Sequence, residues 1–196
     1  MKYPSIIRHT FEPKLTMILL HGLGSDEQDM FGLAQLINDQ IEVICMRAPK
    51  QYGPGFAWFD IEWTADGIRV DESECWSAVD QLALEIESMN IKRLILGGFS
   101  QGAMMTLGII SKYPDLASDG VLLSGRGIGN PCPAFEGSLF QGHGRFDEVI
   151  PISEARSLRT SLGHLEDRLE YHEYPMGHSI CDEEMVHLNA WLEKRL

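Results

Sequence analysis

Short apolar runs alternate with stretches of helical periodicity along almost the whole chain, and this alternation restricts the fold more than any other feature. Leu15–Leu20 (LTMILL), Ile41–Met46 (IEVICM) and residues 94–98, 121–123 and 138–142 read as strands apolar on both sides, each closed by Gly, Pro or a polar turn. Residues 168–174 (RLEYHEY) alternate in polarity and read as a strand nearer a sheet edge. Between these runs, residues 30–37, 73–89, 103–113, 152–162 and 182–196 carry the spacing of helices. Ser73 is the expected cap of the second helix, and Pro114 ends the third. Parallel strands need long crossovers, and helices at these positions supply them. The expected fold class is therefore α/β: a mostly parallel central sheet with helices on both faces. No linker-like segment divides the 196 residues, so 1–196 is read as a single domain.

One stretch does not fit the alternation. Residues 51–71 carry Gly53, Pro54 and Gly55 together with Phe56, Trp58, Phe59 and Trp63, and read as an irregular loop. Aromatic side chains there need somewhere to pack. They either pin the loop to the core or form the wall of a pocket, and the two readings are compatible.

The charge balance narrows the partners. Twenty-nine acidic residues against sixteen basic ones give a formal charge of −13, which repels nucleic-acid phosphates and anionic membranes but not a neutral or apolar substrate. The four cysteines, at 45, 75, 132 and 181, form no C-x-x-C pair and read as free thiols of a reducing compartment. The first eleven residues lack the apolar core of a signal peptide, and no apolar run approaches the ~20 residues of a membrane span. Cytoplasmic location and no membrane insertion are expected. Neither H-E-x-x-H nor a glycine-rich nucleotide loop occurs, so no metal and no cofactor is expected.

The chemistry begins at Gly98-Phe99-Ser100-Gln101-Gly102, a G-x-S-x-G between an apolar strand and a helix start. A serine hydroxyl must stand clear of the sheet and lose its proton to a base before it can attack a carbonyl. A tight strand-to-helix turn exposes it, and the flanking glycines leave room for that turn. A second segment, residues 142–151 (GHGRFDEVIP), follows the strand at 138–142 and offers an acid at the same sheet rim. Asp147 is the choice there and Glu148 the rival. A third segment, Met176-Gly177-His178-Ser179, offers a base. The order Ser100, Asp147, His178 is the order of the α/β-hydrolase fold. The imidazole of His178 would take the serine proton, and Asp147 would hold its tautomer. A negative oxygen then needs N–H donors. The backbone of Gln101 supplies one, and Leu23 in the His21-Gly22-Leu23-Gly24 loop is the candidate for the other.

Together these segments resemble the phospholipase/carboxylesterase family, which includes the acyl-protein thioesterases. The matching stretches are ILLHGLGSDEQDM, MRAP at 46–49, AWFDI at 57–61, GGFSQGAMM at 97–105, GHGRFDEVIP at 142–151 and MGHSI at 176–180, in order along nearly the whole chain. The resemblance implies a compact α/β hydrolase without a large cap domain. It implies Ser100, Asp147 and His178 as the triad, favouring Asp147 over Glu148, and the N–H groups of Leu23 and Gln101 as the oxyanion hole. It implies hydrolysis of carboxylic esters, and in some members of lysophospholipids or S-acylated proteins. Ala103 departs from the pattern, where members often carry glycine.

The expected function is therefore cleavage of carboxylic esters or thioesters with a short-to-medium apolar acyl group, through an acyl-serine. The alternatives are a lysophospholipase or acyl-protein thioesterase and, in another class, a catalytically silent binding protein on the same scaffold. Phe56, Trp58, Phe59 and Met104 are the candidate pocket residues. The expected partner is a small or lipid-like ester substrate, with a homodimer allowed by the resemblance.

Overall fold

In the computed structural model the described residues are 3–64, 67–129 and 134–196. The strands in chain order are β1 (Ser5–Arg8), β2 (Leu15–Leu20), β3 (Ile41–Met46), β4 (Lys50–Tyr52), β5 (Gly55–Ala57), β6 (Ile61–Thr64), β7 (Gly67–Val70), β8 (Leu94–Phe99), β9 (Asp119–Leu123), β10 (Ser138–Gly144) and β11 (Leu169–Tyr174). The α-helices are α1 (Glu27–Ala34), α2 (Glu72–Ser88), α3 (Gln101–Lys112), α4 (Ile152–Ser161) and α5 (Asp182–Glu193). Seven strands form one sheet in the order β1-β3-β2-β8-β9-β10-β11. Every neighbouring pair is parallel except β1 with β3.

The near-continuous apolar strands are explained by what covers them. Ile18, Leu20, Ile44, Met46 and Leu96 point to one face, where α2, α3 and α4 bring Val79, Leu82, Ile86, Met105, Ile109 and Leu158. Met17, Leu19, Val43, Cys45 and Ile95 point to the other, against Met30 of α1 and Met185, Leu188 and Trp191 of α5. Each fully buried Leu or Ile contributes roughly 1.5–3 kcal/mol, most of which offsets the entropy of ordering the chain. Both faces are thus needed to hold the sheet. The sheet is mostly parallel with helices on both sides, as the alternation predicts, and β11 lies at its edge.

Three local expectations are corrected. Helix α1 begins at Glu27 and not at residue 30, because the Asp26 side chain accepts from the N–H groups of Gln28 and Asp29 and starts the helix ahead of its apolar stripe. Asp71, not Ser73, caps α2 in the same way, accepting from Ser73 and Glu74 N–H. Residues 50–52 pair antiparallel with 55–57 and residues 61–64 with 67–70, giving two small hairpins, β4–β5 and β6–β7, in place of an irregular loop. Strand β1 has no counterpart in the sequence reading. Its Arg8 breaks the apolar pattern, yet the guanidinium is anchored on the carbonyls of Ile37, Asn38 and Ile41 at 2.8, 3.0 and 2.6 Å.

Cys45 and Cys75 are buried free thiols, and burial pushes both up to about 12. Cys181 is free and half-buried, and Cys132 lies outside the described residues. No helix among the described residues is long and apolar enough to cross a membrane.

Candidate active site

The turn from β8 into α3 consists of Ser100 alone. Its φ of 54° and ψ of −114° lie where a side chain is strained, and its N–H is held by Leu123 O at 2.8 Å. The flanking glycines are required by contact. A Cβ on Gly98 would run into the backbone of Gly102, and one on Gly102 into the carbonyl of Leu20. Ala103, the third residue of α3, packs its methyl against Gly125, where an added Cβ would lie 2.6 Å away. The extra methyl at 103 is therefore accommodated by a glycine opposite.

The strand order brings the ends of β8 and β10 to one rim, with β9 between them. Asp147 follows β10 in a tight turn. Its Oδ1 accepts the N–H groups of Val149 and Ile150 at 2.9 and 2.8 Å, which fixes the carboxylate. Its Oδ2 stands 2.7 Å from His178 Nδ1, and His178 Nε2 stands 2.8 Å from Ser100 Oγ. An ionised carboxylate only accepts, so Nδ1 carries the proton and Nε2 is free to take the hydroxyl proton of Ser100. Asp147 is fully buried at its side chain, whereas the His178 ring keeps 17% of its surface open and packs against Phe99 with ring centroids 4.9 Å apart. Glu148 is exposed and takes no part in this chain of hydrogen bonds. A base aligned on a hydroxyl, backed by a buried carboxylate, is able to move one proton back and forth during acyl transfer.

Two backbone N–H groups next to the serine have no backbone partner among the described residues. Gln101 is the first residue of α3, where an N–H has no partner within the helix. In the loop after β2, Gly24 N–H is occupied by Phe56 O and Ser25 N–H by Gly22 O, while Leu23 N–H meets no backbone carbonyl among the described residues. An added Cβ on Gly22 would lie 3.3 Å from the Ser100 Cβ, which sets this loop directly beside the serine.

The comparisons with known proteins give the family. The phospholipase/carboxylesterase family matches residues 1–196. The chain belongs to the phospholipase/carboxylesterase family. Acyl-protein thioesterase 1 of Neurospora crassa is 29% identical over 98% of this chain and 90% of its own. Acyl-protein thioesterase 1 of Candida albicans is 31% identical over 88% of each. The crystal structure of esterase PE8 superposes with a TM-score of 0.86 at 23% identity, covering 100% of both chains, which establishes the α/β-hydrolase fold. As a member of this family the chain is an enzyme, a hydrolase of esters or thioesters.

In this member of the family the four candidate pocket residues divide. Trp58, Phe59 and Met104 are 2%, 0% and 1% exposed and belong to the core, which leaves no side-chain surface for a substrate. Trp58 is pinned instead. Its indole N–H donates to His21 O at 2.9 Å, and its backbone N–H donates to Gln101 Oε1 at 2.9 Å, while Gln101 Nε2 donates to Phe59 O at 2.8 Å. The aromatic stretch therefore ties the two donor-bearing loops together. Phe56 alone stays partly exposed, with the Arg47 guanidinium 4.6 Å over its ring. A hollow of about 500 Å³ lined by Leu84, Glu87, Leu94, Lys112 and Pro114 lies at the opposite end of the sheet, by the start of β8, and has no part in this site.

Two buried histidines went unread in the sequence. His21 accepts Ala48 N–H on Nε2 at 3.0 Å and turns Nδ1 to Gly22 O at 2.7 Å. His143 points Nε2 at Ile150 O, 2.8 Å away. Burial holds both imidazoles below their ordinary value. The signal was the His-Gly pair that closes an apolar strand in each case, at 21–22 and at 143–144.

Proposed function

We propose that Ser100 is the nucleophile, His178 the general base and Asp147 its orienting acid, and that the enzyme works through an acyl-serine. The observation that carries this reading is the unbroken line from Ser100 Oγ to His178 at 2.8 Å and on to Asp147 at 2.7 Å. As Oγ attacks the carbonyl carbon, its proton passes to His178 Nε2, and the imidazolium is stabilised by Asp147. The negative oxygen rests on the N–H groups of Leu23 and Gln101. Each such donor is typically worth ~10²–10³ in rate. The C–O or C–S bond to the leaving group breaks as His178 returns the proton. Water then repeats the sequence, and the acid leaves.

The acyl group in this reading is short to medium and apolar, supported by partly exposed Phe56 beside the Leu23 loop. Thioesters enter through the relatives named acyl-protein thioesterase 1, and the lysophospholipase alternative shares the same chemistry. The chain acts as one domain, supported by the single seven-stranded sheet. A cytoplasmic setting is supported by the free Cys45 and Cys75 thiols. A homodimer is the assembly that the family resemblance allows, and sedimentation velocity tests it.

Ser100→Ala tests the core of the reading. Turnover of a short-chain p-nitrophenyl ester is expected to fall by ~10⁶ with the fold intact. Undiminished turnover overturns it. A rate profile across acyl lengths, with oxygen and sulfur leaving groups, then fixes the substrate class.

A further inference from the structure

We infer that His143 is a positioning residue for the acid–base pair, its Nε2–H bridging Ile150 O and the Asp147 oxygen that faces His178. Strand β10 carries His143 inward four residues before Asp147, and both side chains are fully buried. His143 Nε2 lies 2.8 Å from Ile150 O and 3.3 Å from Asp147 Oδ2. A carbonyl oxygen only accepts, so the proton sits on Nε2. Nδ1 is then a bare acceptor, and it has no hydrogen-bond partner among the described residues. An imidazole buried with one nitrogen unpaired is costly, and here the other nitrogen is hydrogen-bonded to Ile150 O with the acid 3.3 Å away.

The consequence lies in the charge on Oδ2. Asp147 Oδ1 is already held by two backbone N–H groups, whereas among the described residues Oδ2 meets only His178 Nδ1 and His143 Nε2. A second donor on Oδ2 draws electron density away from the bond to His178. The carboxylate then stabilises the imidazolium less, and His178 is a weaker base than it would be with Oδ2 to itself. The titratable groups that act on His143 are Asp147, His178 and Glu173, its partner across β10–β11. Glu173 is matched by Arg156, with both hydrogen bonds at 2.8 Å. Burial lowers the His143 pKa and so favours the neutral ring, which donates without adding a charge.

This inference rests on the proposed roles of Ser100, His178 and Asp147, and its test separates the two. His143→Leu fills the space without a donor, and His143→Gln restores an amide N–H at a similar reach. The acid limb of kcat/KM for a p-nitrophenyl ester reports the base of the free enzyme. In His143→Leu that limb is expected to move up by ~0.5–1 pH unit as His178 becomes more basic. His143→Gln is expected to bring it back toward the wild-type position. A folded His143→Leu with an unmoved limb overturns the inference, and so does a His143→Gln as displaced as His143→Leu. Should His143→Leu fail to fold, imidazole ¹⁵N NMR of the unaltered protein decides. A neutral Nε2–H ring at His143 supports the inference, and an Nδ1–H or protonated ring at neutral pH overturns it. His178→Ala is the control. If it keeps turnover, the proposed function fails. If it loses turnover while the His143→Leu limb stays in place, only the role of His143 fails.

Discussion

The rim loops around Ser100 and the hairpin β6–β7 are built on opposite principles. At the rim, positions are set by the backbone. Ser100 is turned by its own φ and held by Leu123, Asp147 is fixed by two N–H groups, and Gly98 and Gly102 fill spaces where no side chain fits. The hairpin is held by surface contacts. Its Arg69–Glu62 ion pair is 69% and 58% exposed, and Trp63 is 55% exposed. The rim has almost no freedom to vary, and the hairpin has a great deal. Geometry set by the backbone therefore leaves a fixed mark in the sequence, while an exposed hairpin does not.

The sharpest way to break this contrast is to alter the rim without altering its shape. Asp147→Asn keeps the volume but lets the amide reverse the His178 tautomer. Ester turnover is expected to fall by ~10⁴ in kcat with an unchanged melting midpoint. A fall of less than tenfold would mean that the carboxylate does not orient the base. Gly102→Ala is next. Its methyl meets the Leu20 carbonyl, a backbone atom that has nowhere to go. A loss of about 3 kcal/mol or more in chemical denaturation is expected, and a neutral result would show that the turn is looser than described.

A buried carboxyl refines the comparison, because rigidity beside the rim has a cost. Glu184, in the first turn of α5, is wholly buried, and neither oxygen has a hydrogen-bond partner among the described residues. Burial pushes its carboxyl up to about 8. The nearby Cys181 backbone offsets only part of that rise. The folded state thus holds a proton that the unfolded chain releases near 4.5, so this group's contribution to stability is lost as pH rises from about 4.5 through about 8. Glu184→Gln is expected to flatten that decline and to gain on the order of 1–3 kcal/mol over wild type at pH 9 in urea titrations. Parallel declines in the two proteins would contradict the assignment. The smallest effect belongs to the hairpin. Arg69→Ala is expected to leave the melting midpoint unchanged, since so exposed a pair is screened by water and salt. A clear drop would show that the hairpin is more tightly bound than its exposure indicates.

The same contrast explains what was legible in the sequence. Strands β2 and β3 stand where their apolar runs end, because burial on both faces leaves one reading. Ser100, Asp147 and His178 were readable because glycines and chain order mark strand-end turns, and the structure brings their side chains within hydrogen-bond reach. The hairpins at 50–70 were not, since short polar strands around Gly53 and Gly55 carry no period to distinguish them from a loop. Helix starts were misplaced by up to three residues because Asp26 sets the start of α1 and the apolar stripe does not. Trp58, Phe59 and Met104 looked like pocket residues because aromatic and apolar side chains near a site serve core and substrate equally well. Their burial in the fold tells them apart, and for Trp58 the hydrogen bonds to His21 and Gln101 as well. His21 and His143 were passed over because a histidine's partners are backbone carbonyls and amides that a sequence does not display.

The central claim is that Ser100 carries the acyl group, and mass spectrometry of the protein treated with a fluorophosphonate tests it most directly. One adduct is predicted, mapping by proteolysis to Ser100, with simultaneous loss of ester turnover and no adduct on His178→Ala. An adduct on any other side chain, or none on protein that hydrolyses the ester, would contradict the account.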